Sequence, residues 1–148
     1  MRILEQLARN VLDLSINDLL KKIYDLSEFE ALVIELNTDV QLFEQGIDAN
    51  EQSLGEYTAF TKELKKQKGQ PTDRITLKDT GDFYKSFRVR STNNGFVIMA
   101  NAIKEDTDLT QEFGEDIIGL TDLSISQVQL FLLDELIPAV RKQIFKGL

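Results

Sequence analysis

Carboxylates are the side chains of this sequence with the clearest capacity for chemistry. Asp79 and Asp82 flank a Thr-Gly pair, and Glu115 and Asp116 lie further along the chain. Brought together, these oxygen ligands could hold Mg²⁺ or Ca²⁺, which prefer carboxylates. A turn with Asx-type hydrogen bonds, followed by a solvated acidic loop, is the more common origin of such residues. We therefore predict no metal site.

Nucleophilic catalysis has little support in the sequence. Lys85 and Ser86 are adjacent, but neighbours in a strand point to opposite faces, so the lysine could not activate the serine there. The chain has no cysteine and no histidine, which excludes thiolate and imidazole ligands and a histidine general base. We expect no catalytic residue, no cofactor and no enzymatic activity.

A basic segment lies between two acidic segments. Residues 62–90 carry nine cations and four anions, net +5, whereas residues 1–61 are net −8 and residues 91–148 net −5. Three interpretations stay open: the segment folds against its own acidic flanks, it contacts an acidic neighbouring copy, or it binds nucleic acid. Nearby aromatic residues could stack on bases, but at this spacing they more often belong to a core or an interface.

Helical spacing dominates the N-terminal part of the chain. Apolar residues recur every three or four positions over 3–24, with a weak point at Ser15 and Asn17, where the helix could bend or restart. A capping box of Ser27 and Glu30 predicts a second helix, which Gly46 ends. After a loop, residues 58–68 predict a short helix with Phe60 and Leu64 on one side.

The second half of the sequence predicts a hairpin and a long helix. Residues 74–77 are extended or strand-like, and a turn at 79–82 follows. Strands at about 86–91 and 96–101 flank an Asn-Gly turn. Residues 104–120 predict mostly loop with one helical turn. A capping box of Ser124 and Gln127 then begins the C-terminal helix, which Pro138 should kink.

These elements predict one α+β domain, which 148 residues suffice to form. It comprises N-terminal helices (1–45), a long extended loop or arm (46–85), a β-hairpin or small antiparallel sheet (86–101), and a loop with a long C-terminal helix packed on it (102–148). No apolar run approaches the roughly 18 residues that a membrane span requires, so we expect no membrane association.

Three short series occur in order in the sequence: GIDANEQSLGEYTAFTKELKKQKG, RITLKDTGDFYKSFRV and EFGEDIIGLT. The positions that carry a pattern are Gly46, Asp48, Tyr57, Thr61, Lys65, Leu77, Thr80, Gly81, Phe83, Ser86, Phe113-Gly114 and Gly119-Leu120-Thr121. Over about residues 46–125 this pattern resembles the tailed-phage virion morphogenesis and tail-completion proteins. Glu51 stands where a glycine is more usual, and no histidine precedes Phe113. In general character the sequence is similar to proteins of phages that infect Bacteroides-type hosts, including crAss-like phages.

The resemblance implies a structural protein of the head–tail connector or neck, of tail-completion or terminator type. Such a protein would form a ring around the DNA channel and belong to the virion, after assembly in the host cytoplasm. Its implied partners are further copies of itself, portal, adaptor or tail proteins of the same virion, and double-stranded DNA that passes without sequence-specific binding. The alternative is a nucleic-acid-binding or regulatory protein that uses residues 62–90.

Contacts between copies would involve the basic segment and its aromatic neighbours, because a head-to-tail ring needs complementary faces on each subunit. The interface residues predicted on this basis are Tyr57, Phe60, Lys62, Lys65, Lys66, Lys68, Arg74, Phe83, Tyr84 and Phe113.

Overall fold

The computed structural model describes residues 2–148 and has the predicted α+β class. Its α-helices are Arg2–Leu12 (α1), Ile16–Tyr24 (α2), Ser27–Glu35 (α3), Ala59–Gln67 (α4), Asp82–Lys85 (α5), Leu109–Phe113 (α6) and Asp122–Ile144 (α7). Two antiparallel two-stranded sheets are formed by Arg88–Ser91 (β1) with Phe96–Met99 (β2), and by Ile103–Lys104 (β3) with Thr107–Asp108 (β4). A π-helix at Leu36–Gln45 and a 3₁₀ turn at Glu115–Ile117 complete the elements.

The predicted weak point in the first helix is a true break. Ser15 has an extended backbone, and its Oγ accepts a hydrogen bond from the amide of Asp18. A serine that satisfies a free amide in this way begins a new helix. The single periodic stretch over residues 3–24 therefore folds as two helices, α1 and α2.

The second predicted helix begins at Ser27, but the capping box does not form. Leu26 is the N-cap residue, and it makes no side-chain cap. Glu30 Oε2 instead accepts a hydrogen bond of 2.9 Å from the amide of Val89 in β1. The carboxylate that local sequence assigned to the cap therefore fastens the hairpin to α3.

The same helix continues without interruption into the π-helix and ends at Gly46, as predicted. Gly46 has φ +62, and a Cβ there would lie 3.0 Å from both the Cβ of Arg74 and the carbonyl oxygen of Ile75. Glycine is required at this position both by the left-handed backbone and by the close approach of the arm. The ten-residue π-helix was not predicted; π-helices usually occur as single turns.

The predicted hairpin forms with slightly shorter strands than expected. Arg88 pairs with Met99 and Ser91 with Phe96, so residues 92–95 make the connection. The amide of Thr92 donates to the carbonyl of Gly95 at 2.7 Å. Neither Asn94 nor Gly95 has a positive φ, so the predicted hairpin forms without the positive-φ backbone that an Asn-Gly turn usually adopts.

Two expectations for the neighbouring segments need correction. Residues 74–77 form no strand, because Leu77 turns into the left-handed region at φ +58. Residues 82–85, expected at the end of the turn and arm before the hairpin, form the short helix α5. The acidic loop after residue 102 contains the small sheet β3–β4 as well as α6; its strands of two residues are too short to show a periodicity.

The C-terminal helix begins earlier than the predicted capping box. Thr121 is the N-cap residue, and its Oγ1 accepts a hydrogen bond from the amide of Ser124 at 3.2 Å. Ser124 is a buried residue inside α7. Pro138 lies within the helix, which continues to Ile144, and Arg141 and Lys142 occupy its last turn, where cations are favourable.

Two apolar clusters form the core. The first joins the π-helix, α5 and the loop after β2, and its buried members are Leu42, Phe83, Tyr84, Phe87, Ala102, Leu109 and Ile117. The second joins α3 to α7 and receives the side chains of the hairpin, and its buried members are Phe29, Val33, Leu36 and Val128. Through these two clusters, residues 46–121 pack against α3 and the π-helix.

Candidate assembly surface

Helix α4 carries the predicted basic cluster and lies on the outside of the fold. Thr58 caps it by accepting a hydrogen bond from the amide of Thr61, so the short helix was predicted correctly. None of its residues is buried. Phe60 is 74% exposed and Leu64 is 42% exposed, so much of the apolar side of α4 is open to solvent. Two exposed apolar residues on a basic helix make α4 a candidate contact surface.

Several cations of the basic segment already form ion pairs or hydrogen bonds within the fold. Asp79 accepts hydrogen bonds from the ammonium groups of Lys104 at 2.7 Å and Lys68 at 2.8 Å. The two lysines, Lys104 first, hold the pKa of Asp79 well below its usual range. Lys65 Nζ donates to the carbonyl of Lys78 at 2.9 Å and lies over the ring of Tyr57. Part of the charge of the segment is therefore neutralised or fixed within the fold.

Arg74 is also fixed from within. Its Nε donates to the carbonyl of Phe43 at 2.7 Å, and a guanidinium nitrogen pairs with Asp73 at 2.6 Å. By contrast, Lys62 and Lys66 take part in no ion pair among residues 2–148. Lys66 is exposed, so it is the cation of α4 best placed to contact another molecule.

The predicted aromatic contact residues divide into two groups. Phe83 and Tyr84 are buried in the first core cluster, which leaves them no side-chain surface for a neighbour. Tyr57 and Phe113 are half-buried, and Phe60 is exposed. The hydroxyl of Tyr84 donates to the carbonyl of Thr76, while the hydroxyl of Tyr57 accepts from the amide of the same buried residue. Phe83 and Tyr84 are therefore core residues rather than contact residues.

Several residues of the three-part sequence pattern make side-chain hydrogen bonds to the backbone. Asp48 Oδ1 accepts hydrogen bonds from the amides of Asn50 and Gln52 and so forms the first loop. Thr80 Oγ1 accepts from the amide of Asp82 and opens α5. Ser86 Oγ accepts from the amide of Asn101 at 2.9 Å, which joins the start of the hairpin to its end. Short polar side chains stabilise turns in this way.

Two buried amides of the π-helix hold the last part of the pattern. Asn37 donates to the carbonyl of Ile117 at 3.0 Å and accepts from the amide of Gly119 at 2.8 Å. Gln41 donates to the carbonyl of Gly119 at 2.8 Å and accepts from the amide of Thr121 at 2.9 Å. We call these four hydrogen bonds the amide clasp. These bonds were not predicted, although two polar residues four apart within an apolar helical stripe are a recognisable signal.

Glu51 adopts a conformation that explains its place in the pattern. It has φ +62, in the left-handed region where glycine is favoured. A glycine is more usual at this position in the pattern that the sequence resembles. The loop backbone therefore adopts a conformation that glycine takes without strain. Glu51 takes it at an energetic cost, because its Cβ is crowded in the left-handed region.

The carboxylates of the hypothetical metal site are not brought together. Asp79 pairs with lysines beside a cavity of about 220 Å³ that Thr80, Gly81 and Asp82 also line. Asp116 instead accepts a hydrogen bond from the side chain of Asn50 at 2.6 Å. Within residues 2–148, no group of three or more acidic side chains is arranged to hold a metal ion.

The helices at the two ends of the chain expose a large apolar surface. In α1 the exposed residues include Leu4, Val11 and Leu12; in α7 they include Leu123, Leu130, Leu133 and Ile137. By length and composition, α7 would suffice to cross a membrane, and 11% of its most apolar 18-residue window is buried. The sequence expectation considered uninterrupted apolar runs, whereas mean hydropathy tolerates the two acidic residues within this window. The expectation that the chain does not associate with a membrane stays a prediction.

Comparison of the chain with known proteins finds no relative. No protein-family model matches it, and neither a curated protein nor a solved structure matches it.

Proposed function

We propose that this chain is a structural subunit of the head–tail connector or neck of a tailed-phage virion. It assembles as a ring of tail-completion or terminator type, around the DNA channel between portal and tail. The proposal depends on one observation above all, the ordered series of short motifs between Gly46 and Thr121. Its partners are further copies of the chain, the neighbouring portal, adaptor or tail proteins, and DNA that passes without sequence-specific binding.

The geometry of the motif residues supports this proposal. Asp48, Thr80 and Ser86 each stabilise a turn, and the amide clasp holds the Gly-Leu-Thr element. Glu51 has the left-handed backbone of a glycine position. A series of weak motifs gains weight when its members build one connected unit, because local choices and the global fold then agree.

Mass spectrometry of purified virions tests the proposal directly. We expect the chain in mature particles, and labelled antibody should locate it at the neck in electron micrographs. Absence of the chain from mature particles would rule out a connector role.

Charge reversal on α4 tests the contact between copies. Lys66→Glu should weaken ring assembly by about five- to tenfold, because a contact between exposed charges contributes about 1 kcal/mol. Lys66 suits this test better than Lys65, whose ammonium also holds the carbonyl of Lys78. Lys22→Glu in α2 is the matched control, and sedimentation velocity measures assembly in both variants. Equal assembly of the wild-type and Lys66→Glu chains would exclude α4 from the contact.

Nucleic-acid binding by residues 62–90 is the second candidate function. Its support is the net charge of this segment. The ion pairs of Lys68 and Arg74 leave fewer free cations for phosphate groups than the sequence suggests. A gel shift at moderate salt discriminates the two functions, because phosphate contacts made by Lys62 and Lys66 would weaken steeply as salt rises.

A further inference from the structure

The exposed apolar residues of α7 form a stripe along one side of the helix. Leu123, Leu130 and Ile137 are seven residues apart, with Leu133 between the last two. Residues at this spacing lie on one side of a helix. The opposite side carries Val128, which is buried against α3 in the second core cluster. The residues of the stripe therefore do not belong to the core that α7 helps to form.

Helix α1 exposes a second apolar stripe with the same seven-residue spacing. It is held to the C-terminal end of α7 by hydrogen bonds. Leu4 and Val11 are seven residues apart, and Leu12 is 84% exposed. The buried amide of Asn10 donates hydrogen bonds to the carbonyls of Ile144 and Lys146, at 2.7 and 2.9 Å. These bonds fix α1 to the end of α7 within the monomer, so both stripes are preformed.

The accessible surface of the whole chain is larger than its mass predicts. It measures 9874 Å², whereas a compact monomer of 16.9 kDa exposes roughly 7,700 Å². An excess of about 2,200 Å² is of the size that one subunit of a permanent assembly buries against its neighbours. The exposed surface includes large apolar side chains of both terminal helices, and exposed apolar patches mark sites of interaction.

We propose that the exposed stripes of α1 and α7, defined by Leu4, Val11, Leu12, Leu130, Leu133 and Ile137, are a contact surface for a second copy of this chain. We call this the α1–α7 surface. The inference deepens the proposed function and rests on it for the ring as the assembled form. It assigns the association energy to apolar burial on the terminal helices, in addition to any charge contact on α4.

The charges beside the stripes favour a second copy over a lipid bilayer. Asp134 and Glu135 lie midway along α7, where a membrane-spanning helix would place them in hydrocarbon at high cost. Arg2 and Arg9 are exposed on α1, and none of these four residues forms an ion pair among residues 2–148. Two copies can bring these opposite charges together, because one chain supplies both signs.

Sedimentation velocity over a wide concentration range tests the inference. We expect the wild-type chain to associate, and Leu130→Glu/Leu133→Glu to lower the association constant at least a hundredfold, because two charges would be buried without partners. Leu12→Glu on α1 should act in the same direction. Ile103→Glu is the matched control, since Ile103 is 60% exposed but lies in β3. Circular dichroism should show the same helix content in all variants, because every substituted side chain is exposed.

Three results would overturn the inference. They are a wild-type chain that stays monomeric at its highest soluble concentration, a double variant that associates like wild type, and flotation of the wild-type chain with phosphatidylcholine vesicles that the double variant loses. The proposed function fails separately: absence from virions would remove the connector role and leave self-association intact. A chain found in virions whose double variant still assembles would remove only the α1–α7 surface.

Discussion

The motif segment from Gly46 to Thr121 and the α1–α7 surface use their side chains in opposite ways. The segment is rich in polar residues, and several of these accept hydrogen bonds from its own backbone, as Asp48, Thr80 and Ser86 do. The terminal helices are rich in apolar residues, yet several of the largest are turned outward. The contrast teaches that polar side chains stabilise the turns of one region, while large apolar side chains of the other stay exposed on the folded chain.

The clasp provides the largest expected effect. Gln41→Ala leaves the amide of buried Thr121 and the carbonyl of half-buried Gly119 without their partners, and an unsatisfied buried group costs about 1 to 3 kcal/mol. We expect a loss of about 3 to 4 kcal/mol of unfolding free energy, measured by urea denaturation. Gln45→Ala, at the exposed end of the same helix, is the control. A loss below about 1 kcal/mol would show that the clasp does not fix the segment.

Tyr84 gives the next largest effect and adds a pH dependence. Tyr84→Phe removes the hydrogen bond to the carbonyl of Thr76 and should cost about 1 to 2 kcal/mol at neutral pH. Burial raises the pKa of Tyr84 above the ordinary tyrosine range, so the folded chain keeps a proton that the unfolded chain releases near pH 10. The contribution of this hydroxyl to stability is constant below that pH and falls as pH rises through it.

Denaturation of both chains at several pH values between about 8 and 11 measures this effect. The Tyr84→Phe chain should lose less stability than the wild-type chain over this range, because it lacks the group that titrates. Tyr24→Phe, a half-buried tyrosine packed on Phe29, is the control. Parallel pH profiles for wild-type and Tyr84→Phe chains would contradict the role assigned to burial.

Glu51 is a strained position within the motif segment, so its substitution is expected to stabilise the chain rather than destabilise it. Glu51→Gly should raise the unfolding free energy by about 1 kcal/mol, because glycine adopts φ +62 without the clash of a Cβ. Glu56→Gly, which lies outside the left-handed region, should give no gain. Thermal or urea denaturation checks both. Destabilisation by Glu51→Gly would remove the conformational argument for a glycine position in this loop.

The α1–α7 surface should give the smallest effect on the monomer. Leu130→Ala should change the stability of the monomer by less than about 0.5 kcal/mol, because this side chain already lies in water. Val128→Ala, two residues away on the buried side, should cost about 2 kcal/mol. Measurement at low protein concentration keeps association out of the comparison. Equal losses for the two variants would mean that the stripe belongs to the core after all.

Elements with a strong local signal were predicted well. Apolar periodicity located the helices, Gly46 ended the long N-terminal helix, and alternation located the hairpin within about two residues. The capping residues were less certain, since Thr121 and Ser124 are equally suited by type. The choice between them depends on burial: Ser124 is packed inside α7, while Thr121 accepts from its amide.

The contacts within the candidate surface were predicted least well. The sequence could not tell that Lys68 and Lys104 share Asp79, because those residues are brought together only by the fold. For the same reason Phe83 and Tyr84, grouped with contact aromatics by their position near the lysines, are core residues. Local spacing carries no information about which side of a short helix meets the core.

The sequence by itself determined the α+β class, the order of the main elements, the basic middle segment and the series of turn-forming motifs, because these depend on neighbours along the chain. Tertiary structure alone decided that Asn37 and Gln41 hold the segment after Ile117, that Glu30 fastens the hairpin, and that the stripes of α1 and α7 stay exposed. A hydrogen-bonding group or an apolar face finds its partner across many residues of chain, so only the folded arrangement shows which partners are filled within the subunit.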